Sequence, residues 1–336
     1  MQQPNAAVVC RKMAIRPMID QIRTGVIGVG NFGWKHTEKY YALPTSKLVA
    51  VADIDEVKAR KAAERFGVRC FTDFRDLIGI VDAVSITVPT TLHYDVACYC
   101  FNHGVHALVE KPISEQPDHG YALSELAERN NVVLQVGHIE RFSPTFEALQ
   151  QIVKKPLYIE CYRISVYTGR GTDVNVILDV MIHDIDMIMA LVDSPVESVD
   201  AVGTPVVGQH EDIANTRVLF ENGCVANVTA SRISHKTERS MRIFQPNEYT
   251  VADFHTQKVF RFTKRSRGNS NNPYNVERTE QTIGPWDNLE HEIDAFLSAV
   301  ANNSVPKVTG RQASDVVRVA SMIEQSLLAH RRKAGL

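Results

Sequence analysis

The sequence predicts an α/β protein: a doubly wound parallel sheet followed by an α+β domain with a large, mostly antiparallel open sheet. Two patterns lead to this prediction. From residue 23 to about 140, short β-rich runs alternate with helical segments, as in a parallel sheet with helices on both faces. From residue 196 onward, strands follow one another with no helix between them, which favours antiparallel pairing. A chain of 336 residues is long enough for two such domains.

The first strand leads into a glycine-rich turn. Residues 23–33 read RTGVIGVGNFG, in which a β-rich run is followed by GxGxxG and then by a helical segment. Glycines at this spacing permit a tight turn that brings the backbone close to a pyrophosphate at the helix N-terminus. The residues predicted to contact a dinucleotide here are Gly28, Gly30, Asn31, Phe32 and Gly33.

The end of the second strand indicates which dinucleotide binds. Asp53 stands twenty residues beyond Gly33, where a carboxylate accepts hydrogen bonds from the ribose hydroxyls and repels a 2′-phosphate. NAD is therefore predicted over NADP, with Ile54 in the same site. Later strands also end in polar or turn residues, at the edge of the sheet where ligands bind. Those predicted to face the cofactor are Thr87, Pro89, His93, Glu110 and Lys111.

The apolar helix ILDVMIHDIDMIMALV, at residues 177–192, contains an unusual polar stripe. Asp179, His183 and Asp186 stand at i, i+4 and i+7, and so share one helical face. The ordinary interpretation is that these residues form the solvent-exposed face of the helix. The alternative is a reaction site, because oxidising an alcohol needs a base that titrates near neutrality, and a carboxylate one turn away can orient an imidazole.

Composition excludes several classes of function. The chain is 44% hydrophobic and 23% charged, with a formal net charge of −2, so nothing in its overall charge favours nucleic acid or anionic membranes. No apolar run is long enough to span a bilayer. The six cysteines lack CxxC spacing, so we expect reduced thiols, no metal site and a cytoplasmic protein.

Three stretches together resemble the glucose–fructose oxidoreductase/inositol dehydrogenase (Gfo/Idh/MocA) family of NAD(P)-dependent sugar oxidoreductases. They are VIGVGNFG, TVPTTLHYDVACYCFNHGVHALVEKPIS and DVMIHDID, and the match runs from about residue 23 to about 330. The resemblance implies that Lys111 stands beside the nicotinamide and substrate, with a cis peptide before Pro112. It also implies that His183 is the acid/base and that Asp179 orients or polarises it. Which of Lys111 and His183 takes the proton stays open, with His183 favoured.

The resemblance also bears on the substrate. Val174 and Asn175 replace two glycines that many family members have, which weakens transfer from the free-sugar and inositol enzymes. GHIERFSP, LDVMIHDID and TASRIS instead resemble a branch that includes nucleotide-sugar dehydrogenases, which oxidise the 3-hydroxyl of UDP-N-acetylglucosamine ahead of a PLP aminotransferase in lipid A or surface-glycan synthesis. A diphosphate needs cations, and several arginines are available. The predicted substrate-binding residues are Lys111, Arg170, Asp179, His183 and Arg232.

We therefore expect four segments: an N-terminal arm (1–22), an NAD-binding Rossmann domain (23–140), a substrate and oligomerisation domain (141–286) and C-terminal helices packing back on the first domain (287–336). The open sheet needs covering, which predicts a homodimer or homotetramer. Two alternatives remain at this point: an inositol or free-sugar dehydrogenase of the same fold, and an NAD-binding regulator without catalysis.

Overall fold

The computed structural model describes residues 21–167, 175–265, 276–284 and 286–335. The predicted N-terminal arm therefore lies almost wholly outside the described residues. The first sheet is parallel, with strand order β3-β2-β1-β4-β5-β6. Its strands are β1 (Ile22–Ile27), β2 (Ser46–Ala52), β3 (Arg69–Phe71), β4 (Ala83–Ile86), β5 (His106–Glu110) and β6 (Leu134–Gly137). The helices between them are α1 (Asn31–Ala42), α2 (Glu56–Phe66), α3 (His93–Asn102) and α4 (Pro117–Arg129).

Local sequence explains where these helices begin and end. Asp55 caps α2 by accepting hydrogen bonds from the backbone N–H groups of Val57 and Lys58. Gly67 ends the same helix in the left-handed conformation, at φ 69°. Order reverses between β1 and β4, so the ends of these two central strands form the crevice in which such sheets bind ligands.

The second sheet has eight strands in the order β14-β13-β12-β11-β7-β10-β9-β8. All its neighbouring strands are antiparallel except β7 and β10, which run parallel. A turn at Asn222-Gly223 joins β9 to β10, with Gly223 at φ 82°. The strands are β7 (Tyr158–Val166), β8 (Val196–Thr204), β9 (Ile213–Phe220), β10 (Val225–Ser234), β11 (Glu238–Gln245), β12 (Glu248–Asp253), β13 (Lys258–Lys264) and β14 (Val276–Thr282).

Four further helices complete the described part of the fold: α5 (Pro144–Ile152), α6 (Ile182–Val192), α7 (Asn288–Asn302) and α8 (Gly310–Lys333). α7 packs its apolar face, including Ile293 and Phe296, into the core of the first domain. α8 serves both domains, because Val317 belongs to the core of the first and Ile323 to that of the second. The predicted fold class is confirmed.

None of the helices among the described residues has the length and apolar character needed to cross a bilayer. The five described cysteines are free thiols; Cys100, Cys161 and Cys224 are buried, whereas Cys70 is exposed.

Candidate active site

The glycine turn leaves room for a pyrophosphate. Gly28 adopts φ 88°, and a Cβ there would lie 2.9 Å from the backbone nitrogen of Val88. A Cβ at Gly33 would overlap the carbonyl oxygen of Gly28, so α1 can approach the turn this closely only with glycine. A Cβ at Gly30 would instead meet open space at the N-terminus of α1. Asn31 and Phe32, both exposed, begin that helix, and the turn therefore fits a phosphate-binding role.

Asp53 lies directly after β2, beside the glycine turn. Its Oδ2 accepts a hydrogen bond of 2.8 Å from the backbone N–H of Val29, and its Oδ1 one of 2.9 Å from Asp55. Each carboxylate oxygen has a second lone pair, so these bonds orient the group without exhausting it as an acceptor. The next residue, Ile54, is 91% exposed and available to contact a base or ribose.

Thr87 and His93 support the strand ends around this crevice. The Thr87 hydroxyl donates to the carbonyl oxygens of Ile27 and Gly28, which ties the end of β4 to the turn. The His93 ring is buried, with Nδ1 2.8 Å from the carbonyl oxygen of Pro112 and Nε2 2.9 Å from that of Val88. We expected His93 to face the cofactor, but both its ring nitrogens face backbone carbonyls. It holds together the loops after β4, where Pro89 lies, and after β5.

Lys111 follows β5, and its peptide bond to Pro112 is cis, as the resemblance implied. Its Nζ donates a 2.8 Å hydrogen bond to the backbone carbonyl of Asp179 and lies 3.7 Å from Asp179 Oδ1. Burial lowers the pKa of the Lys111 ammonium, while the carboxylates of Asp179 and Glu110 oppose that shift. Lys111 and Asp179, from the two domains, are thus brought together.

Asp179 lies in a single π-helical segment, Ile177–Met181, that leads directly into α6. A π-turn shifts the backbone hydrogen-bond register, and such turns are frequent at functional sites. Here the Asp179 carbonyl accepts from Lys111, and the Asp179 carboxylate is half-exposed beside it. The predicted contact of Asp179 with His183 is absent from the hydrogen bonds among described residues, in which Asp179 instead partners Lys111.

His183 is partly buried, one turn after Asp179, and its Nδ1 is buried without a hydrogen-bond partner in the described part of the chain. Burial is the largest cause that holds the pKa of His183 well below its usual value, and the positive charges of Lys111 and Arg163 add to it. The imidazole is therefore neutral near pH 7 and can accept a proton.

The next two acids of α6 are buried rather than wet. Asp184 accepts hydrogen bonds of 2.9–3.0 Å from Nε and Nη2 of Arg163 on β7. The same guanidinium donates through Nη1 to Glu140, at 2.9 Å, in the 3₁₀ turn after β6. Asp186 pairs with Arg141 of that turn at 3.3 Å. Arg163 and Arg141 are thus engaged in ion pairs that join α6 to the first domain.

The two arginines preferred for substrate binding fare differently. Arg232 is buried, with Nε 3.3 Å from Asp212 and Nη2 donating to the Glu211 carbonyl at 2.8 Å. The structure therefore differs from the expectation of a phosphate-facing Arg232, because its guanidinium lies against protein groups. Arg170 lies outside the described residues.

Two buried histidines near the site were not predicted as parts of it. Both His36 nitrogens are bonded within the first domain, one of them to Glu110. His138, just after β6, has Nδ1 3.9 Å from Asp186 Oδ2. Glu110 was expected to face the cofactor, yet its carboxylate accepts from His36 at 3.1 Å and from the Lys111 backbone N–H at 3.2 Å. Only the position of His138 at a strand end could have indicated it from sequence.

Two family models match this chain. One, an oxidoreductase family with an NAD-binding Rossmann fold, matches residues 22–138, and the other, the GFO/IDH/MocA C-terminal domain, matches residues 163–247. The chain belongs to the GFO/IDH/MocA oxidoreductase family. Its cofactor is NAD, as predicted from Asp53, and the recognition of the family from its motifs is confirmed.

Several characterised relatives are similar over most of the chain. UDP-N-acetylglucosamine 3-dehydrogenase from Acidithiobacillus ferrooxidans is 36% identical over 281 residues, which cover 83% of this chain and 89% of the relative. Its solved structure superposes with a TM-score of 0.86 at 33% identity, over 92% of this chain and 98% of that one. The NAD(+)-dependent scyllo-inositol 2-dehydrogenase of Bacillus subtilis is 28% identical over 238 residues, 65% of this chain and 69% of the relative. Levoglucosan dehydrogenase, solved in complex with NADH, shares the fold at a TM-score of 0.81 and 18% identity over 92% of this chain and 97% of that one.

Proposed function

We propose that this GFO/IDH/MocA oxidoreductase is a nucleotide-sugar dehydrogenase that oxidises the 3-hydroxyl of UDP-N-acetylglucosamine to a 3-keto sugar. The observation that carries the proposal is the 36% identity to an enzyme of that activity over most of both chains, together with Lys111 and His183 at one site. NAD, when bound, accepts the hydride from the carbon that carries the hydroxyl.

His183 supports the proton half of this reaction. As the carbon loses its hydride, the hydroxyl proton must leave for a base, and the carbonyl forms from the electron pair of the O–H bond. A neutral imidazole on a partly buried residue beside Lys111 suits this step, and its lowered pKa keeps it unprotonated at neutral pH. The proton taken by His183 is later released to solvent.

Lys111 is proposed to bind the same hydroxyl oxygen. An ammonium beside an oxygen that develops alkoxide character stabilises the transition state more than the ground state. The carbonyl of Asp179 fixes the ammonium through a 2.8 Å bond, and the Asp179 carboxylate favours its charged form. Asp179 thus acts on the substrate through Lys111.

Arg239 is our proposed contact for the diphosphate. It stands opposite Arg163 in the pairing of β11 with β7, and residues directly opposite share a face of the sheet. Arg163 faces α6, so Arg239 projects on the same side, yet it is exposed. The positive charge of Arg239 is one of those that lower the pKa of His183. Within the described ranges Arg239 has no ion-pair partner. A guanidinium so placed suits a phosphate group.

The first experiment mixes purified protein with NAD and UDP-N-acetylglucosamine, and follows both the absorbance of reduced nicotinamide and the mass of the sugar. We expect a product lighter by two hydrogens, with a 2-keto acid added in parallel to reoxidise any cofactor that stays bound. If the protein instead turned over inositol or free sugars but not the UDP-sugar, it would be an inositol or free-sugar dehydrogenase, like the scyllo-inositol relative. Tight NAD binding without turnover of either class would indicate a regulator.

A pair of variants tests the diphosphate contact. Arg239→Met should raise the KM for the UDP-sugar roughly tenfold or more, because it removes a charge-assisted contact, and should leave the Kd for NAD unchanged. Arg242→Met is the matched control, since Arg242 lies on the same strand but packs over Tyr162 on the other face. Equal effects of the two variants would contradict the assignment of Arg239.

We also propose a homodimer or homotetramer formed through the open face of the second sheet. A row of stacked rings crosses four strands there, with centroids 4.6–5.6 Å apart: Tyr158, Phe244, Tyr249 and Phe262. Phe244→Glu should dissociate the assembly in light scattering, and a monomeric wild type at micromolar concentration would contradict the proposed oligomer.

In the proposed function the keto product forms in the cytoplasm and passes to a PLP-dependent aminotransferase that supplies lipid A or surface-glycan synthesis.

A further inference from the structure

Glu292 on α7 is a buried carboxylic acid group next to the site. The Glu292 side chain is fully buried, and both its oxygens lack hydrogen-bond partners among the described residues. One of its oxygens, one from Glu110 and a His36 nitrogen all lie within 4.8 Å of one another. An ionised carboxylate in such a place is strongly unfavourable, so its charge state needs an explanation.

A series of hydrogen bonds runs from Tyr40 to the carboxylate of Glu110. Tyr40 Oη lies 2.8 Å from Ser85 Oγ, which lies 2.9 Å from His36 Nδ1, while His36 Nε2 lies 3.1 Å from Glu110. With Glu110 as acceptor and one proton on the His36 ring, each donor in the series is determined: Tyr40 donates to Ser85, Ser85 to His36, and His36 to Glu110. Such one-way chains strengthen each bond in turn.

Glu110 also accepts from the Lys111 backbone N–H. Two donors therefore converge on its carboxylate oxygens. A second negative charge within 4.8 Å, in an environment with little water, is strongly unfavourable. Burial first, and then the charges of Glu110 and Asp186, raise the pKa of Glu292 well above its ordinary value.

We infer that Glu292 is a positioning residue that stays a neutral carboxylic acid, and that it keeps the single negative charge of this cluster on Glu110, directly beneath Lys111. That charge opposes the loss of the Lys111 proton caused by burial. Gly137 completes the arrangement, because a Cβ there would lie 2.6 Å from Glu110 Oε1 and displace the carboxylate. α7 thus places a side chain beside Glu110 of the first domain.

The pH dependence of stability tests the charge state. A carboxyl whose pKa is raised in the folded protein stabilises the fold least at high pH, because the unfolded chain releases the proton more readily. Glu292→Gln removes this loss while keeping shape and polarity. The melting temperature of Glu292→Gln, minus that of wild type, should therefore increase from about pH 5 to about pH 9. Asp294→Asn, an exposed neutralisation two residues along α7, should show no such increase.

A flat or decreasing difference for Glu292→Gln would overturn the inference, since it would mean that Glu292 is ionised in the folded protein. The competing explanation is a divalent cation held by His36, Glu110 and Glu292. Elemental analysis of the purified protein by mass spectrometry distinguishes the two explanations. A stoichiometric metal, whose removal by EDTA also lowers the melting temperature, would establish the cation site and contradict a neutral Glu292.

Kinetics test the positioning role. Glu292→Gln should keep kcat within about twofold of wild type, whereas Glu292→Ala should lower kcat by roughly tenfold to a hundredfold through displacement of Glu110 and Lys111. The alanine variant should also move the pH profile of kcat, because Glu110, whose charge lies next to Lys111, would shift its position. Rescue by glutamine but not alanine, with an unchanged profile for glutamine, is the expected result. Equal kcat and equal profiles for both variants would show that Glu292 only fills space.

Discussion

Arg163→Met removes the cation at the centre of the contact between α6 and the first domain. Its guanidinium makes three contacts of 2.9–3.0 Å to Asp184 and one of 2.9 Å to Glu140, all with little exposure to solvent. Methionine keeps most of the apolar stem but leaves two acids without their partner. Breaking a buried pair in this way costs about 3–5 kcal/mol, and we expect the variant to lose that much free energy of unfolding.

The assay is urea denaturation followed by circular dichroism near pH 7, on wild type, Arg163→Met, Asp184→Leu and the double variant. The double variant should be more stable than the sum of the single effects predicts, by at least about 1 kcal/mol, because it no longer holds an orphaned charge at this pair. Arg242→Met serves as the control, since that arginine pairs with Glu160 at a partly exposed position, where ion pairs contribute only about 0–1 kcal/mol.

One result would refute this reasoning. If Arg163→Met changed the free energy of unfolding by less than about 1 kcal/mol yet raised the KM for the UDP-sugar, Arg163 would be a substrate ligand. The ion pair with Asp184 would then be incidental to the fold.

Three further predictions concern the cofactor and the base. Because the pKa of His183 is held well below its usual value, kcat/KM should rise with pH only below about pH 6.5 and be level near neutrality. In His183→Asn the rise of kcat/KM at acidic pH should vanish, and kcat should fall by about 10²–10⁴-fold. Calorimetry should show that this variant still binds NAD. Asp53→Ser should lower the preference for NAD over NADP by at least about tenfold in kcat/KM, and an unchanged ratio would remove Asp53 from the ribose site. Gly30→Ala should melt like wild type, since its Cβ meets open space, but should weaken NAD binding where the pyrophosphate approaches the backbone; loss of both stability and binding would indicate a structural role instead.

The first domain was accessible from sequence because its signals are local. The glycine turn, Asp53 and the alternation of strands and helices each depend on residues close together in the chain, where backbone geometry and periodicity decide the outcome. Lys111, Asp179 and His183 were found through motifs. Their shared role in a site stays a prediction; in the structure Asp179 partners Lys111 rather than His183, since the π-turn offers the Asp179 carbonyl to Lys111.

What the sequence did not reveal depends on pairing between distant segments. An arginine on a strand looks the same whether it faces phosphate or a buried acid, and only the fold assigns Arg163 to Asp184 and Arg232 to Asp212. The same holds for His36 and Glu292, which stand near opposite ends of the chain and meet only through α7. No periodicity or spacing rule connects residues of this kind.

The return of α7 and α8 to the first domain also bears on the order in which the protein can fold during synthesis. Phe296 and Val317 fill the core beneath strands that leave the ribosome far earlier. Until α7 and α8 are synthesised, the apolar surface that they cover in the first domain stays exposed. Contacts between residues this distant along the chain also form slowly. The nucleotide-binding half is therefore the first to be made and among the last to be finished, so chaperone demand should fall on the nascent N-terminal half.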